Sequence, residues 1–208
     1  AKDAIKDYAS MPLEPGSLKG QVDGQLRLDF KVGPDARGDD VKVFVNASVA
    51  NFSAEHLLGK EKFESGTLTV VGDPTGLRAT GTGRMFGAAA TLDLRKNVGE
   101  AATANLSATL DDAARTRIGV EPPGVAGPVA MKLAATLGDR ETQAKVDLDL
   151  ARTAFDNPVP GLVKPAGRPA RATFQLTQRD KTTKIDNLVI DAGGLSAKGS
   201  IDLTNQGE

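Results

Sequence analysis

Strict alternation of apolar and polar residues constrains this chain more than any other feature. Val22, Leu26, Leu28, Phe30 and Val32 share one parity and are separated by Asp23, Gln25, Arg27, Asp29 and Lys31. Ala102, Ala104, Leu106, Ala108 and Leu110 do the same against Thr103, Asn105, Ser107 and Thr109. A period of two puts every second side chain on one face of a pleated strand, so each run reads as a strand with one dry and one wet face. About eleven segments read this way. Residues 1–9 are helical at best, and 111–118 suits a short helix with Asp111 or Asp112 as N-cap and Gly119 as stop. Roughly forty apolar side chains therefore have to be covered with almost no helix to do it.

Composition narrows what the cover can be. A chain of 208 residues is long enough for one large or two small domains with a real core. A net charge of -1, with both signs interspersed, favours neither nucleic acid nor an anionic membrane surface. The absence of cysteine excludes disulfides and thiolate metal sites, and fits a bacterial envelope protein or a cytoplasmic one. Aromatic residues make up only 4%, with no Trp, so the dry surface is built from Ala, Val, Leu and Gly. The 23 Gly and 11 Pro read as turn punctuation between strands. No run approaches the roughly 18 apolar residues of a membrane-spanning helix, and no secretory leader opens the chain. The chain is expected to be a piece of a longer protein, with any targeting or anchor segment lying outside it.

The element order restarts midway. Strands are expected near 19–32, 41–50, 66–72, 76–86, 88–95 and 101–110, with an irregular connection at 51–64. After the short helix, strands follow near 127–138, 141–150, 169–178, 183–190 and 194–203, with a second irregular connection at 151–168. Gly20, Val22 and Leu26 recur as Gly127, Val129 and Leu133, and Leu57, Leu58 and Lys60 recur as Leu162, Val163 and Lys164. The reading is two repeat units, 1–110 and 111–208, of about 100 residues each, the second truncated at its C-terminal end. Tight turns at 73–76, 138–139 and 191–194 join antiparallel neighbours, and no βαβ spacing appears. The fold expected is mainly β: repeated antiparallel strands forming a curved, extended sheet of groove or open-barrel type, with one or two short helices.

No motif carries bond-making chemistry. His56 is the only histidine, placed on the expected 51–64 connection without a second imidazole for a metal site or a nucleophile elbow for a hydrolase. Gly81-Thr82-Gly83-Arg84-Met85-Phe86-Gly87 faintly suggests a phosphate loop, but another strand follows where a helix is required. Strand glycines beside a bulge or a closely approaching neighbour explain it better. Asp39-Asp40 and Asp111-Asp112 lack the ligand spacing of a calcium loop. Lys164-Pro165-Ala166-Gly167-Arg168-Pro169-Ala170 reads as a rigid corner into the next strand, with a head-group contact through Lys164 or Arg168 as the sharper alternative. No cofactor, catalytic residue or metal site is expected, and the chain does not read as an enzyme.

One stretch carries a resemblance. Asp147-Leu148-Asp149-Leu150, Thr153-Ala154-Phe155, Pro160-Gly161-Leu162 and the 164–170 string, followed by Gly194-Leu195-Ser196-Ala197-Lys198-Gly199 and Ile201-Asp202-Leu203, resemble the AsmA-like family of bacterial envelope proteins. The likeness is closest to the large YhdP-type members, most specific over 141–203 and weaker over 41–137. It implies a periplasmic protein tethered to the inner membrane by a helix outside this chain, acting in outer-membrane biogenesis. It also implies bridge-like lipid transfer, with phospholipid acyl chains held on the apolar face of a curved sheet. Parity then picks the lipid-facing set. In the first unit these are Val22, Leu26, Leu28, Phe30, Val43, Val45, Val49, Leu92, Leu94, Leu106 and Leu110. In the second they are Leu133, Val146, Leu148, Leu150, Phe174, Leu176, Leu195, Ile201 and Leu203. The partners implied are phospholipid, the inner-membrane anchor and other envelope proteins, with no nucleic acid. A self-filled β core gives the same alternation, so a non-catalytic structural or assembly module of the envelope stands as the alternative.

Overall fold

The computed structural model describes residues 15–33, 41–58, 61–138, 140–158, 160–179 and 182–204, the side chains of 15, 56–58, 61, 203 and 204 excepted. A single 3-10 turn (Pro15–Ser17) leads into β1 (Leu18–Asp29), β2 (Lys42–Leu58), β3 (Glu61–Asp73), β4 (Gly76–Met85), β5 (Ala88–Asn97) and β6 (Ala102–Leu110). Helix α1 (Asp112–Arg117) separates these from β7 (Val125–Ala126), β8 (Val129–Leu137), β9 (Glu141–Asp149), β10 (Ala154–Asp156) and β11 (Val163–Lys164). The last strands are β12 (Arg171–Arg179), β13 (Thr182–Asp191) and β14 (Ser196–Thr204). Eleven strands form one open antiparallel sheet in the order β1-β2-β3-β4-β5-β6-β8-β9-β12-β13-β14, and β11-β10-β7 form a second, three-stranded sheet. The mainly β, open-sheet class read from the alternation is the one observed.

The first expected irregular connection is mostly strand, and the second is irregular apart from two short strands. β2 runs on to Leu58 and β3 begins at Glu61, so 51–58 and 61–64 belong to long bulged strands and His56 lies within one. Bulges absorb the broken parity: Asn51 and Ser65 take φ values of 53°, and the β2–β3 register shifts beside both. The described part of 151–168 is turns and irregular backbone as expected, interrupted by the short strands β10 and β11. The helix is capped as its sequence suggests, the Asp111 carboxylate accepting the amide of Ala114 at 2.8 Å. Contacts divide the chain into two compact units, residues 1–84 with 91–104 and residues 85–90 with 105–208.

In the first unit, register keeps one parity on one face. Val22, Leu26 and Leu28 of β1 stand opposite Val49, Val45 and Val43 of β2. Val49, Ala47 and Val45 in turn stand opposite Leu68, Val70 and Gly72 of β3. The glycines of these strands share that parity, and their crowding is steric. A Cβ at Gly24 would lie 2.5 Å from the Cβ of Ala47, where directly opposed Cβ atoms are ordinarily about 4.5–5.5 Å apart. At Gly83 it would lie 2.5 Å from the Phe63 ring, and at Gly81 it would collide with the Thr67 carbonyl. The strand pairs are thus drawn together on their apolar side, and only a bare Cα fits at these points. Phe63, with 0% exposure, fills this end of the unit against Phe52, ring centroids 6.0 Å apart.

In the second unit, apolar rows cross five strands in register. One runs Met131, Leu148, Ala172, Ile190, Ala197, and another Ala135, Ala144, Leu176, Ile185, Ile201. The small sheet closes one end of this face. Phe155 of β10 and Leu162 pack with Val129, Leu150, Ala170, Ala172 and Ala192, and Leu148, Ile190 and Leu195 border the cluster. Lys164 fastens the connector beneath. Its ammonium, buried to 4% exposure, donates to the carbonyls of Thr153 (2.6 Å), Arg168 (3.0 Å), Pro165 (3.3 Å) and Ala151 (3.4 Å) and stands 5.2 Å above the Phe155 ring. Burial pushes its pKa down, offset in part by the charge of Asp149. On α1 the buried Arg115 donates to the carbonyls of Val125 and Gly127, which ties the helix to β7.

Three substitutions test these contacts. Gly83→Leu should cost about 1–3 kcal/mol of unfolding free energy through overpacking, whereas Gly199→Ala, where a Cβ meets nothing within 4 Å, should stay within about 0.5 kcal/mol of the parent. Lys164→Met, which strands several carbonyls, should cost about 2–3 kcal/mol. Urea titration at pH 7 reads all three.

Candidate functional site

The expected apolar residues fall into three groups by accessibility. Leu92, Leu94, Leu106, Leu110 and Val146 are no more than 5% exposed, and Val49 is 9% exposed. They are buried among the chain's own atoms. The same holds for Leu150, which sits in the closed cluster under the small sheet with Leu148 and Leu195 at its border. Alternation could not separate these from open positions, because a filled face and an empty one have the same period.

The open group lies in the first unit, on β1 and the neighbouring half of β2. Val22 is 71% exposed, Leu26 64% and Leu28 49%, while Val43 and Val45 opposite them are half-buried. Phe30, just past the end of β1, and Val32 remain exposed on the same parity. Here the apolar face continues to the free edge of the sheet without a cover among the described residues. In the second unit, burial also falls away from the small sheet. Leu133, Phe174 and Leu176 are half-buried and Ile201 on edge strand β14 is 45% exposed. The Leu203 side chain lies outside the described ones. The inner-face Gly24 and Gly20 escaped the parity reading because glycine carries no hydropathy signal, although both share the parity of Val22 and Leu26.

The opposite face is polar, and several of its charges are paired. Asp93 on β5 accepts from Arg78 of β4 (3.0 and 2.9 Å) and Arg95 (3.3 and 3.1 Å), each through two nitrogens. Those bonds, Arg78's first, hold its carboxyl at a pKa of about 2. Arg171 makes the same two-nitrogen contact with Asp147, and the guanidinium of Arg27 lies 4.0 Å over the Phe44 ring. A depression of about 430 Å³ beside the Asp93 network is lined by Thr69, Val71, Thr80, Arg95 and Asn97 among others.

Among the described residues no group of acidic or imidazole side chains could hold a metal ion, and no helix is long and apolar enough to cross a membrane. The glycines of 81–87 lie on β4 and its turn. Phe86 (φ 55°) and Gly87 (φ 76°) form the two-residue hairpin loop, in which positive φ at both positions matches the twist of the strands. Lys164 is buried beneath the connector and is not placed to meet a head group; Arg168 is exposed.

Asp93 gives a pH signature. Its folded pKa lies below the ordinary carboxylate value near 4, so its stabilisation is complete above about pH 4 and is lost as pH falls toward 2. Urea midpoints should drop between pH 4 and 2, and Asp93→Asn should flatten part of that drop. The rest belongs to carboxyls such as Asp147, whose pKa is also lowered, first by its bond from Arg171.

Comparisons with protein-family models, with curated proteins and with solved structures return no match for this chain.

Proposed function

We propose that this chain is a segment of a periplasmic bridge-like lipid transport protein of the AsmA-like, YhdP-type kind, holding phospholipid acyl chains on an apolar β-sheet face between inner and outer membrane. One observation carries the reading: the row Val22, Leu26 and Leu28, 49–71% exposed and in register with Val43, Val45 and Val49, is apolar surface that reaches the sheet edge. Valine and leucine on a pleated surface offer an acyl chain methylene contacts and no hydrogen bonds, so chains are held by burial and not by recognition. The polar opposite face stays in water. Transfer by this means breaks no covalent bond and discriminates weakly between acyl chains. The residue strings at 147–170 and 194–203 that resemble the family support the same reading.

A specific observation favours the alternative, a structural or assembly module. The cluster of Phe155, Leu162 and Leu150 is closed by the chain itself, as a scaffold core would be. Lipid mass spectrometry on the chain purified without detergent separates the two. Lipid transport predicts co-purified phospholipid, reduced severalfold in Leu26→Asp/Leu28→Asp, a variant of exposed positions that keeps the parent's thermal midpoint. Absence of lipid from both samples would establish the scaffold reading instead.

A further inference from the structure

Among the described residues nothing pairs with the outer edge of β1, which is long, straight in its pairing to β2 and chemically self-complementary. Over Leu18–Asp29 no side chain is buried, no proline interrupts the strand, and the only register shift against β2 lies near its start, between Lys19 and Gln21. Such an edge presents an unpaired row of backbone amides and carbonyls, the surface that natural sheets otherwise shorten, bulge or cover. We infer that β1 pairs antiparallel with β1 of a second copy of this chain, about a two-fold axis through Gln25.

The side chains select that register. Keeping the apolar faces of both copies on one side of the joined sheet requires even to meet even and odd to meet odd. With Gln25 facing its own counterpart, Asp23 faces Arg27 of the second copy on the polar side, and the two-fold axis makes this pairing twice. On the apolar side Val22 faces Leu28, and Leu26 faces Gly24, where the missing side chain leaves room for it. Shifting the register in one direction puts Asp23 against Asp29, like charges opposed twice. Shifting it in the other puts Gly24 against Gly24, a hollow at the axis, and leaves Asp23 opposite Gln25. The pairing runs over residues 21–29 and ends where Lys19 would meet Lys31. In the plane of the sheet it would flank Val22, Leu26 and Leu28 and leave the apolar face above them open, so the row continues across the axis into the second copy.

The chain has no cysteine, which makes the register directly readable. In the full chain, Gln25→Cys should form a disulfide-linked dimer under mild oxidation, because residues facing each other across an antiparallel pair fall within disulfide reach. Gln21→Cys, displaced from its counterpart by eight residues, should not. Sedimentation equilibrium should show a reversible dimer, weakened about tenfold or more by Asp23→Arg and returned to within about threefold of the parent by Asp23→Arg/Arg27→Asp. All these positions are exposed, and circular dichroism checks that the fold is kept. A chain that stays monomeric up to about 1 mM overturns the inference, with Kd then weaker than any specific edge pairing requires. So does a dimer indifferent to Asp23→Arg, equal cross-linking at Gln21→Cys, or an edge found occupied by a different polypeptide.

Discussion

Parity is the constraint on which the rest depends. Along the large sheet the described registers set apolar rows opposite apolar rows, as Val22, Leu26 and Leu28 stand opposite Val49, Val45 and Val43, and a slip of one position would turn a whole strand's dry set into water. The rows from Met131 to Ala197 and from Ala135 to Ile201 cross five strands because each pair independently keeps this match. Where the sequence breaks the alternation, the backbone rather than the face gives way. Asn51 and Ser65 take up the extra residues in left-handed conformations, and the apolar row resumes beyond them.

Close approach of strands at the apolar side comes from what is missing. Glycine at positions 24, 81 and 83 lets one strand's backbone approach its neighbour's more closely than any side chain would allow. Alanine at 47, 54 and 79 lines the same face. The ends of the face are treated differently. Aromatic rings fill it where Phe52 and Phe63 meet and where Phe155 sits beneath the small sheet, while β1 leaves it open. A single alternating pattern thus serves both as a packed core and as accessible surface.

The strands and their antiparallel order were legible because a period of two is a local signal that each run carries by itself. The short helix was legible from Asp111 and Gly119. The long strands through 51–58 and 61–64 were not, since bulges at Asn51 and Ser65 interrupt the period there and look like loop. β10 and β11 are too short to show alternation. Accessibility was the least legible property: Leu106 and Leu26 occupy equivalent places in equivalent patterns, yet one is 1% and the other 64% exposed. That difference depends on residues far away in the chain. The role of Lys164 was hidden for a similar reason, since its acceptors are backbone carbonyls, which every residue possesses.

The lysine cage also sets the chain's chemical reactivity. An amine whose protons are spread over four carbonyls cannot offer a lone pair to an acylating reagent, whereas Lys19, Lys132 and Lys198 stand in solvent. Lys164 becomes a nucleophile only when the 151–170 connector lifts away from it. Its acylation rate, set against those of the solvent lysines, therefore gauges local opening of that connector while the large sheet stays folded.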